Sequence, residues 1–593
     1  IENTKESKFL PKEVTSKSWN DETVNRAYMK ESEGLSIQSE QKITWIPRWG
    51  DNHSLLVSAV WQMNSGNSQY QEFEKYGLPS NSITDATSVG FDKAFNSGAG
   101  QWRSLAIMGR AHYTFMNRYT IDATFRRDGS TKFGSNNRWG DFPAVSLKWN
   151  MADESFMKPL RAVIDELGIR GGWGITGNQP DREYLHFSRY NSSWGGGNNN
   201  YINIPTVKPS SIELSDLKWE KVTSYNLGID LHLFNSKLVF DGNIYKRKTE
   251  DLLFKDLGIP SSSGFGSLSY VNIGVMDNTG WELSIYTNNL IKTRDWKVDF
   301  NVNFSNNKNK IVELSPAVLN AYNKDFNYDN GSYLTRLQEG NSFGSIYGFR
   351  YKGVYQYDKY EEGRGGTAPV VKDANGNVVK DANGKPLPMY FDYFNLGNKR
   401  YQFRGGDAIY EDINHDGTID ELDIVYLGNS NPKLTGGFGT NITFKNFSIS
   451  AFFNFRYGNK IVNYARMDAE NMHSNNNQSI AVNWRWRKDG DVTEMPRALY
   501  NYGYNYLGSD RFVEDGSFLR FKTLTFKYNF SPKSLRRVFL NQLSFYLTLN
   551  NLVTFTKYTG VDPEVGIESF GLCADRSKTP RSQYFTFGVT VGF

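Results

Sequence analysis

Oxygen-bearing side chains recur at regular intervals between positions 412 and 423. Counted from the first residue, positions 1, 3, 5, 9 and 12 of this loop are Asp412, Asn414, Asp416, Asp420 and Asp423. Gly417 stands at position 6, where such a loop turns sharply, and Thr418 offers its carbonyl oxygen at position 7. This is the spacing of an EF-hand-like calcium loop, although aspartate at position 12 weakens bidentate chelation. The loop predicts a structural Ca²⁺ site; the alternative is a turn-rich acidic loop whose side chains bond their own backbone.

Two shorter segments look like the beginning of that loop. They read Asp373-Ala-Asn-Gly-Asn and Asp381-Ala-Asn-Gly-Lys, and they lack the later acidic residues. Asn-Gly pairs favour tight turns because both residues tolerate a positive φ. We therefore predict hairpin turns here, within a surface insertion that spans 359–400.

Residue combinations that would catalyse a reaction are not found in the sequence. The 6 histidines are scattered, no His-Glu-x-x-His pair occurs, and Cys573 has no histidine near it. The glycine-rich segment 171–174 could suggest a phosphate-binding loop, but it lies within a predicted strand and no helix follows it. Asp122, Asp230 and Asp299 could form an acid–base set, yet on the wet face of a sheet such carboxylates are usually ordinary polar residues. The sequence predicts that the protein is not an enzyme.

The composition combines many aromatic residues with a polar average. Aromatic residues make up 15% of the 593 residues, whereas the mean hydropathy is -0.58. Transmembrane β-barrels have this combination because alternate strand residues face lipid and water and aromatic girdles mark both interfaces. The sequence contains no run of 18 apolar residues, so it predicts no membrane-spanning helix. The 68 basic and 63 acidic residues are nearly balanced, which does not favour nucleic-acid binding.

Apolar and polar residues alternate with a period of two over segments of about ten residues, the length of a tilted membrane-crossing strand. The pattern runs from Leu105 to Phe115 and, after a turn at Asn117, from Tyr119 to Phe125. Further hairpins are predicted at 225–233 with 238–248, 281–287 with 296–305, 435–444 with 447–457, and 519–530 with 543–550. Single strands are predicted at 35–46, 54–64, 142–150, 168–176 and 585–593. The predicted fold is an all-β, antiparallel transmembrane barrel, of which this chain supplies about 15–17 strands.

Short and long connections alternate along the chain, as in barrels with tight periplasmic turns and long extracellular loops. The long connections are 65–100, 177–220, 249–278, 458–514 and 552–581. The short link from Glu154 to Leu167 has apolar residues at helical spacing and predicts a helical turn. If the C-terminus is periplasmic, residues 307–434 contain either no membrane strand or two. We favour two, one of them Gly344–Tyr355, and we predict that residues 1–33 form an extracellular loop segment.

Several short motifs resemble those of SusC-like, TonB-dependent outer-membrane transporters. They occur in the family's order: Arg127-Asp-Gly-Ser, Asn137-Arg-Trp-Gly-Asp-Phe-Pro, Gly174-Ile-Thr-Gly-Asn-Gln, Leu217-Lys-Trp-Glu, Asn278-Thr-Gly-Trp-Glu, the Gly406–Gly428 segment, Ser517-Phe-Leu-Arg and Tyr558-Thr-Gly-Val-Asp-Pro-Glu. The resemblance implies a 22-stranded barrel, an N-terminal plug domain, coupling to TonB–ExbB–ExbD and a SusD-like surface lipoprotein over the barrel mouth. The chain lacks the plug and the first five to seven strands of this pattern. Because an open sheet edge is costly in hydrocarbon, we expect these parts on another polypeptide of a nicked or split transporter.

Residues 34–593 are thus expected to form the C-terminal part of the barrel, with an extracellular insertion at 359–434 that holds the calcium-type loop. Flat aromatic faces stack on sugars and other ligands, so aromatic residues of the long loops are candidates for substrate binding. These candidates are Trp194, Tyr201, Tyr322, Tyr328, Tyr504 and Tyr506. The predicted function is TonB-dependent import of an oligosaccharide or oligopeptide. The alternatives are a passive, porin-like channel and a secreted, glycan-binding or glycan-degrading β protein.

Overall fold

The computed structural model describes residues 1–11, 25–87, 90–192, 207–323, 333, 337–392, 400–531, 535, 539–568 and 571–593. Among these residues, no helix is long and apolar enough to cross a membrane. The first sixteen strands are β1 (Glu2–Leu10), β2 (Arg26–Trp45), β3 (His53–Tyr76), β4 (Phe91–Phe115), β5 (Tyr119–Ser130), β6 (Trp139–Asn150), β7 (Ile164–Asn178), β8 (Arg189–Ser192), β9 (Val207–Ser211), β10 (Glu220–Leu233), β11 (Leu238–Glu250), β12 (Leu253–Gly258), β13 (Ser267–Asn272), β14 (Val275–Thr287), β15 (Ile291–Lys292) and β16 (Trp296–Glu313).

The remaining strands are β17 (Ser345–Gly348), β18 (Tyr351–Val354), β19 (Tyr390–Phe391), β20 (Tyr401–Gln402), β21 (Ala408–Tyr410), β22 (Thr418–Ile419), β23 (Val425–Asn429), β24 (Leu434–Phe444), β25 (Phe447–Tyr457), β26 (Lys460–Asn463), β27 (Val513–Asp515), β28 (Phe518–Asn529), β29 (Gln542–Thr556), β30 (Gly566–Ile567), β31 (Cys573–Asp575) and β32 (Tyr584–Gly592). The helices whose bounds lie within the described ranges are α1 (Pro316–Asn323) and α2 (Tyr464–Glu470). Short 3₁₀ turns lie at Ser135–Asn137, Met151–Asp153, Ser155–Leu160, Ser261–Ser263, Glu421–Asp423, Ile480–Trp484 and Asp510–Phe512. The turn at Ser155–Leu160 is the helical turn that the sequence predicted.

Among the described residues, the largest sheet contains 17 strands, in agreement with the expected 15–17. The chain divides into two compact units, one of Ile1–Trp149, Arg170–Tyr225 and Thr249–Ile273, the other of Asn150–Ile169, Asn226–Lys248 and Gly274–Phe593. In the first unit, strands that follow each other in sequence pair antiparallel from β1 to β6. In the second unit, β14, β16, β24, β25, β28, β29 and β32 pair in that order.

The register of the first unit confirms the predicted alternation. Ile107 lies opposite Arg127, and Gly109 opposite Phe125, so the side chains from Leu105 to Phe115 at odd positions share a face with those of β5. Ile107, Phe125 and Leu147 on this face are 52%, 51% and 54% exposed. In the second unit, Phe585 and Phe587 of the last strand are likewise exposed. Large apolar side chains left uncovered along a whole sheet face are typical of strands that contact lipid.

The prediction of two membrane strands within 307–434 is wrong for the described residues. Strand β16 pairs directly with β24, from Trp296 opposite Phe444 to Ser305 opposite Thr435. The segment Gly344–Tyr355 forms two short strands instead, β17 paired with β23 and β18 paired with β21. The apolar residues of β17 and the next position, Ile346 to Phe349, are all buried, so no side of this strand is free to face lipid.

Strands of the first unit extend further than the sequence indicated. β2, β3 and β4 have 20, 24 and 25 residues, about twice the length that crosses a bilayer. Most of the predicted loop 65–100 is therefore strand. Residues 2–10, predicted as a loop, are strand β1, paired with residues 26–34 of β2. The side of the membrane on which this end lies stays a prediction.

Residues between β16 and β24 form a core of their own. Its buried members are Tyr347, Phe349, Tyr355, Val371, Met389, Phe391, Tyr401, Phe403, Ala408, Tyr410, Ile419, Ile424 and, from further along the chain, Leu507. We call this set the aromatic core. It lies beneath the loop that the sequence singled out, because Ile419 of that loop is one of its members.

Candidate functional sites

The loop Asp412–Asp423 begins two residues after β21 and contains β22 and the 3₁₀ turn Glu421–Asp423. Gly417 has φ +87°, the left-handed conformation in which glycine is least strained, and this allows the sharp turn at position 6. The Asp412 Oδ2 accepts a hydrogen bond of 2.9 Å from the Gly417 amide. Asp416 Oδ1 accepts bonds from the Thr418 amide and hydroxyl. The predicted turn geometry is thus present.

The second half of the loop is held by a reciprocal pair of aspartates. Asp420 caps the 3₁₀ turn and accepts a bond of 2.7 Å from the Leu422 amide. Asp423 reaches back with Oδ2 to the Asp420 amide, at 2.9 Å, and with Oδ1 to the Ile413 amide, at 2.7 Å. Asp423 therefore joins the beginning of the loop to its end.

Three of these carboxylates are withdrawn from solvent. Asp412, Asp420 and Asp423 are 8%, 6% and 0% exposed. Burial raises the pKa of all three, and that of Asp423 reaches about 6. Asp412 differs in one further respect, because its Oδ1 is buried without a hydrogen-bond partner. Leaving a buried acceptor without a partner costs about 1–3 kcal/mol, and more when the group is ionised.

The acidic side chains of the loop do not converge on one point. Across the described ranges, no group of three or more His, Cys, Asp or Glu side chains is arranged to hold a metal ion. An EF-hand-like loop also uses amide and carbonyl oxygens, which here would come from Asn414 and Thr418. The cation ligands Asp412, Asn414, Asp416, Thr418, Asp420 and Asp423 stay a prediction.

The loop is attached to the aromatic core. β22 pairs in parallel with β19, Thr418 opposite Tyr390 and Ile419 opposite Phe391. The Asp392 amide also donates to the Ile419 carbonyl, at 3.2 Å. The conformation of the loop is thus coupled to the packing of β19.

The two look-alike segments form hairpin turns, as predicted. The carboxylate of Asp373 accepts bonds from the amides of Asn375 and Asn377, and Asp381 does the same for Asn383 and Lys385. Both aspartates lie outside the protein core, and no buried oxygen is left without a partner in either turn.

Four of the six aromatic substrate candidates fall outside what the structure describes. Trp194, Tyr201 and Tyr328 are not among the described residues, and Tyr322 lies in α1 at a position whose side chain is not described. Tyr504 is partly buried, with its ring centre 4.1 Å from that of Phe391. Tyr506 is 2% exposed and packs among buried residues of the loop around α2, so no face of its ring is open to a ligand. We do not retain Tyr506 as a substrate residue.

A cavity of about 960 Å³ in the second unit was not found from the sequence. Its lining contains basic and acidic side chains. The basic ones are Arg466, Lys578 and Arg581, and the acidic ones are Asp562, Glu564 and Asp575. Behind it, the 3% exposed Arg520 donates to Asp562 and Glu564, each at 2.6 Å. Arg520 lies in the motif Ser517–Arg520, and both acids lie in the motif Tyr558–Glu564. These two motifs, noted above for their resemblance to a known family, are the sequence signal that could have indicated the cavity.

A second buried ion pair joins the aromatic core to the loop before Tyr504. Asp407 is 0% exposed and accepts from Arg497 Nε at 2.6 Å, from the Tyr401 hydroxyl at 2.7 Å and from the Arg404 amide at 2.8 Å. With this many donors the carboxylate is well satisfied, so the arrangement is structural.

Comparison with known proteins gives consistent results. A family model described as TonB dependent receptor-like, beta-barrel matches residues 12–404. TonB-dependent receptor P39 of Formosa agariphila is 30% identical over 566 residues, which are 92% of this chain and 50% of that relative. TonB-dependent receptor SusC of Bacteroides thetaiotaomicron is 28% identical over 498 residues, 82% of this chain and 44% of the relative. The chain spans about half the length of the curated relatives it matches.

A solved structure, that of the RagAB peptide transporter, is similar to this chain with a TM-score of 0.72. The similarity covers 100% of this chain and 59% of that one, at 22% sequence identity. At this identity the likeness concerns the fold alone.

Proposed function

Because the chain belongs to the TonB-dependent receptor-like β-barrel family of the bacterial outer membrane, we propose that it forms part of a transporter that actively imports oligosaccharides or oligopeptides. The resemblance to SusC-like transporters that the sequence motifs suggested is correct at the level of the family. The observation that carries the proposal is the antiparallel sheet with one uncovered apolar face, built from a sequence of this family.

The proposed activity is binding and passage of a nutrient, with no bond made or broken. A transporter of this kind draws its energy from the inner-membrane proton gradient through TonB, ExbB and ExbD. A porin-like channel would share the same strands but would not depend on that gradient. The difference between the two lies in energy coupling.

We also propose a SusD-like surface lipoprotein as the partner. The support is the family relationship to SusC and the fold of a RagAB component. The partner would capture the nutrient, and the charged cavity near Arg581 is a place where a polar ligand could be held during passage.

Uptake of labelled oligosaccharides and labelled oligopeptides by cells that express the whole transporter tests the proposal. We expect uptake of one class to stop when an uncoupler collapses the proton gradient. Uptake that continues unchanged after uncoupling would instead indicate a passive channel. Absence of uptake of both classes would contradict the proposed substrates.

The partner is tested separately by mild detergent extraction and mass analysis of the purified complex. We expect a surface lipoprotein in a fixed ratio to the transporter. Deletion of that lipoprotein should reduce uptake of the same substrate class, and unchanged uptake would remove the partner from the proposal.

A further inference from the structure

We propose that the loop Asp412–Asp423 binds one calcium ion, with the buried Oδ1 of Asp412 as its central ligand. The inference does not depend on the proposed transport function. It starts from a single atom: the Oδ1 of Asp412 is shielded from solvent and accepts no hydrogen bond of ordinary geometry, whereas its Oδ2 accepts from the Gly417 amide. A carboxylate in this position requires a positively charged group or a proton at the free oxygen.

No arginine or lysine supplies that charge in the loop itself. The twelve residues include no lysine or arginine, and no ion pair between Asp412 and a basic side chain is found among the described residues; the nearby Lys352 pairs with Glu411 instead. The carboxylates of Asp412, Asp416, Asp420 and Asp423 instead repel one another. A cation between them would replace this repulsion by attraction.

Backbone amides leave lone pairs of these side chains available. Asp420 accepts from the Leu422 amide with one of its two oxygens. Asp416 accepts from the Thr418 amide and hydroxyl with Oδ1 and from the Asn414 side-chain amide with Oδ2, at 2.8 Å. An oxygen that accepts one hydrogen bond also keeps a second lone pair. The hydrogen bonds thus orient the side chains without using up their capacity as ligands.

The donor set favours calcium over other metals. Every candidate ligand is an oxygen, which suits hard cations and does not suit zinc or copper. Magnesium demands a near-ideal octahedron and retains several waters, whereas calcium accepts irregular sets of six to eight oxygens. Asn414 and Asp416 are exposed, so an ion can enter the loop from solvent.

The two look-alike turns provide an internal comparison. Asp381 begins the same Asp-x-Asn sequence as Asp412, but it is only half-buried, and it lies in a turn without the acids at positions 9 and 12. A site that depended only on the Asp-x-Asn turn would exist at both places. A site that depends on the buried oxygen exists only at Asp412.

Calcium titration of the purified whole protein in detergent, after treatment with EDTA, tests the inference. Isothermal calorimetry should detect one site that calcium fills and that magnesium fills at least tenfold more weakly. Asp412→Asn should lose this site, and the matched control Asp381→Asn should keep it. Equal stoichiometry in Asp412→Asn and the parent protein would overturn the assignment, as would the absence of any calcium uptake at millimolar concentration.

A second variant guards against misfolding of the first. Asp416 is exposed, so Asp416→Asn should fold normally and weaken calcium binding at least tenfold. Limited proteolysis supplies a readout other than binding: added calcium should protect residues 400–431 from cleavage in the parent protein but not in Asp412→Asn. Cleavage that is insensitive to calcium in both would contradict the role of the ion in ordering this loop.

Discussion

Large apolar side chains are exposed on the large sheet and buried in the segment between β16 and β24. On the sheet, Ile107, Phe300 and Phe585 are 52%, 46% and 73% exposed. In the segment, Phe349, Phe391 and Ile419 are 0% exposed. The sheet leaves its apolar face to be covered by lipid, whereas the apolar side chains of the segment pack into the aromatic core, beside which the buried Asp407 accepts several hydrogen bonds. The same residue types are therefore covered by lipid in one region and by other side chains in the other.

The largest effect is expected from breaking the buried ion pair of the segment. Asp407→Ala leaves Arg497 without its carboxylate partner, and such a loss costs about 3–5 kcal/mol. Hydrogen exchange of the amides in residues 400–431 should accelerate strongly. The pair of Arg364 with the exposed Glu361 serves as the control, because Glu361→Gln should cost about 1 kcal/mol or less. Equal effects of the two substitutions would show that burial does not matter here.

A charge on the apolar face of the sheet should have the next largest effect. Phe300→Lys places an ammonium group where lipid is expected, and near the bilayer midplane this costs about 2–4 kcal/mol. The neighbouring Asn301→Lys points to the opposite face and should cost much less. The free energy of unfolding in lipid vesicles measures both, and a reversed order would mean that the lipid face is assigned to the wrong side.

The two kinds of Asp-x-Asn loop can be compared through their glycines. Gly417 and Gly376 have φ of +87° and +84°, so an alanine at either position is strained by about 1–2 kcal/mol. At Gly417 the added methyl group would also lie 3.0 Å from Val371, whereas nothing is within 4 Å at Gly376. Thermal unfolding should show a larger loss for Gly417→Ala, and equal losses would indicate that Val371 moves aside.

A smaller change removes one hydrogen bond from the buried network. Tyr401→Phe deletes the hydroxyl that donates to Asp407, while the ring remains in the aromatic core. Because a hydrogen bond to a charged group contributes about 1.5–3 kcal/mol and Asp407 keeps other donors, we expect the lower end of this range. Denaturant unfolding should detect the loss, and no loss would mean that water takes over the bond.

Strand positions were predictable where one face is apolar and the other is polar. The run from Leu105 to Phe115 has this contrast, and its register is as predicted. The beginning of β2 and the end of β3 lack this contrast between faces. Polar residues such as Glu31, Glu33 and Gln71 interrupt any apolar face there, so the sequence suggested loops. The segment Gly344–Tyr355 has the contrast in sequence, but long-range packing buries both faces of its first strand, β17.

The candidate cation site was predictable in its ligands but not in its decisive atom. The spacing from Asp412 to Asp423 follows from the sequence alone. The 8% exposure of Asp412 is a property of the folded loop, which is attached to β19 and to the aromatic core through Thr418 and Ile419. The same holds for Tyr506, whose burial among Met467 and Phe512 cannot be read from a loop that is rich in tyrosine.

The direct pairing of β16 with β24 also bears on how the chain assembles. Ser305 and Thr435, whose hydroxyls are 2.7 Å apart, are separated by 130 positions, whereas Phe444 and Phe447 at the next hairpin are separated by three. Closing the longer loop from a flexible chain costs about 3 kcal/mol more in entropy. If residues 314–433 first collapse around the aromatic core, the ends of that loop are brought together in advance. In that case the folding of the inserted segment precedes the pairing of β16 with β24 and sets its rate.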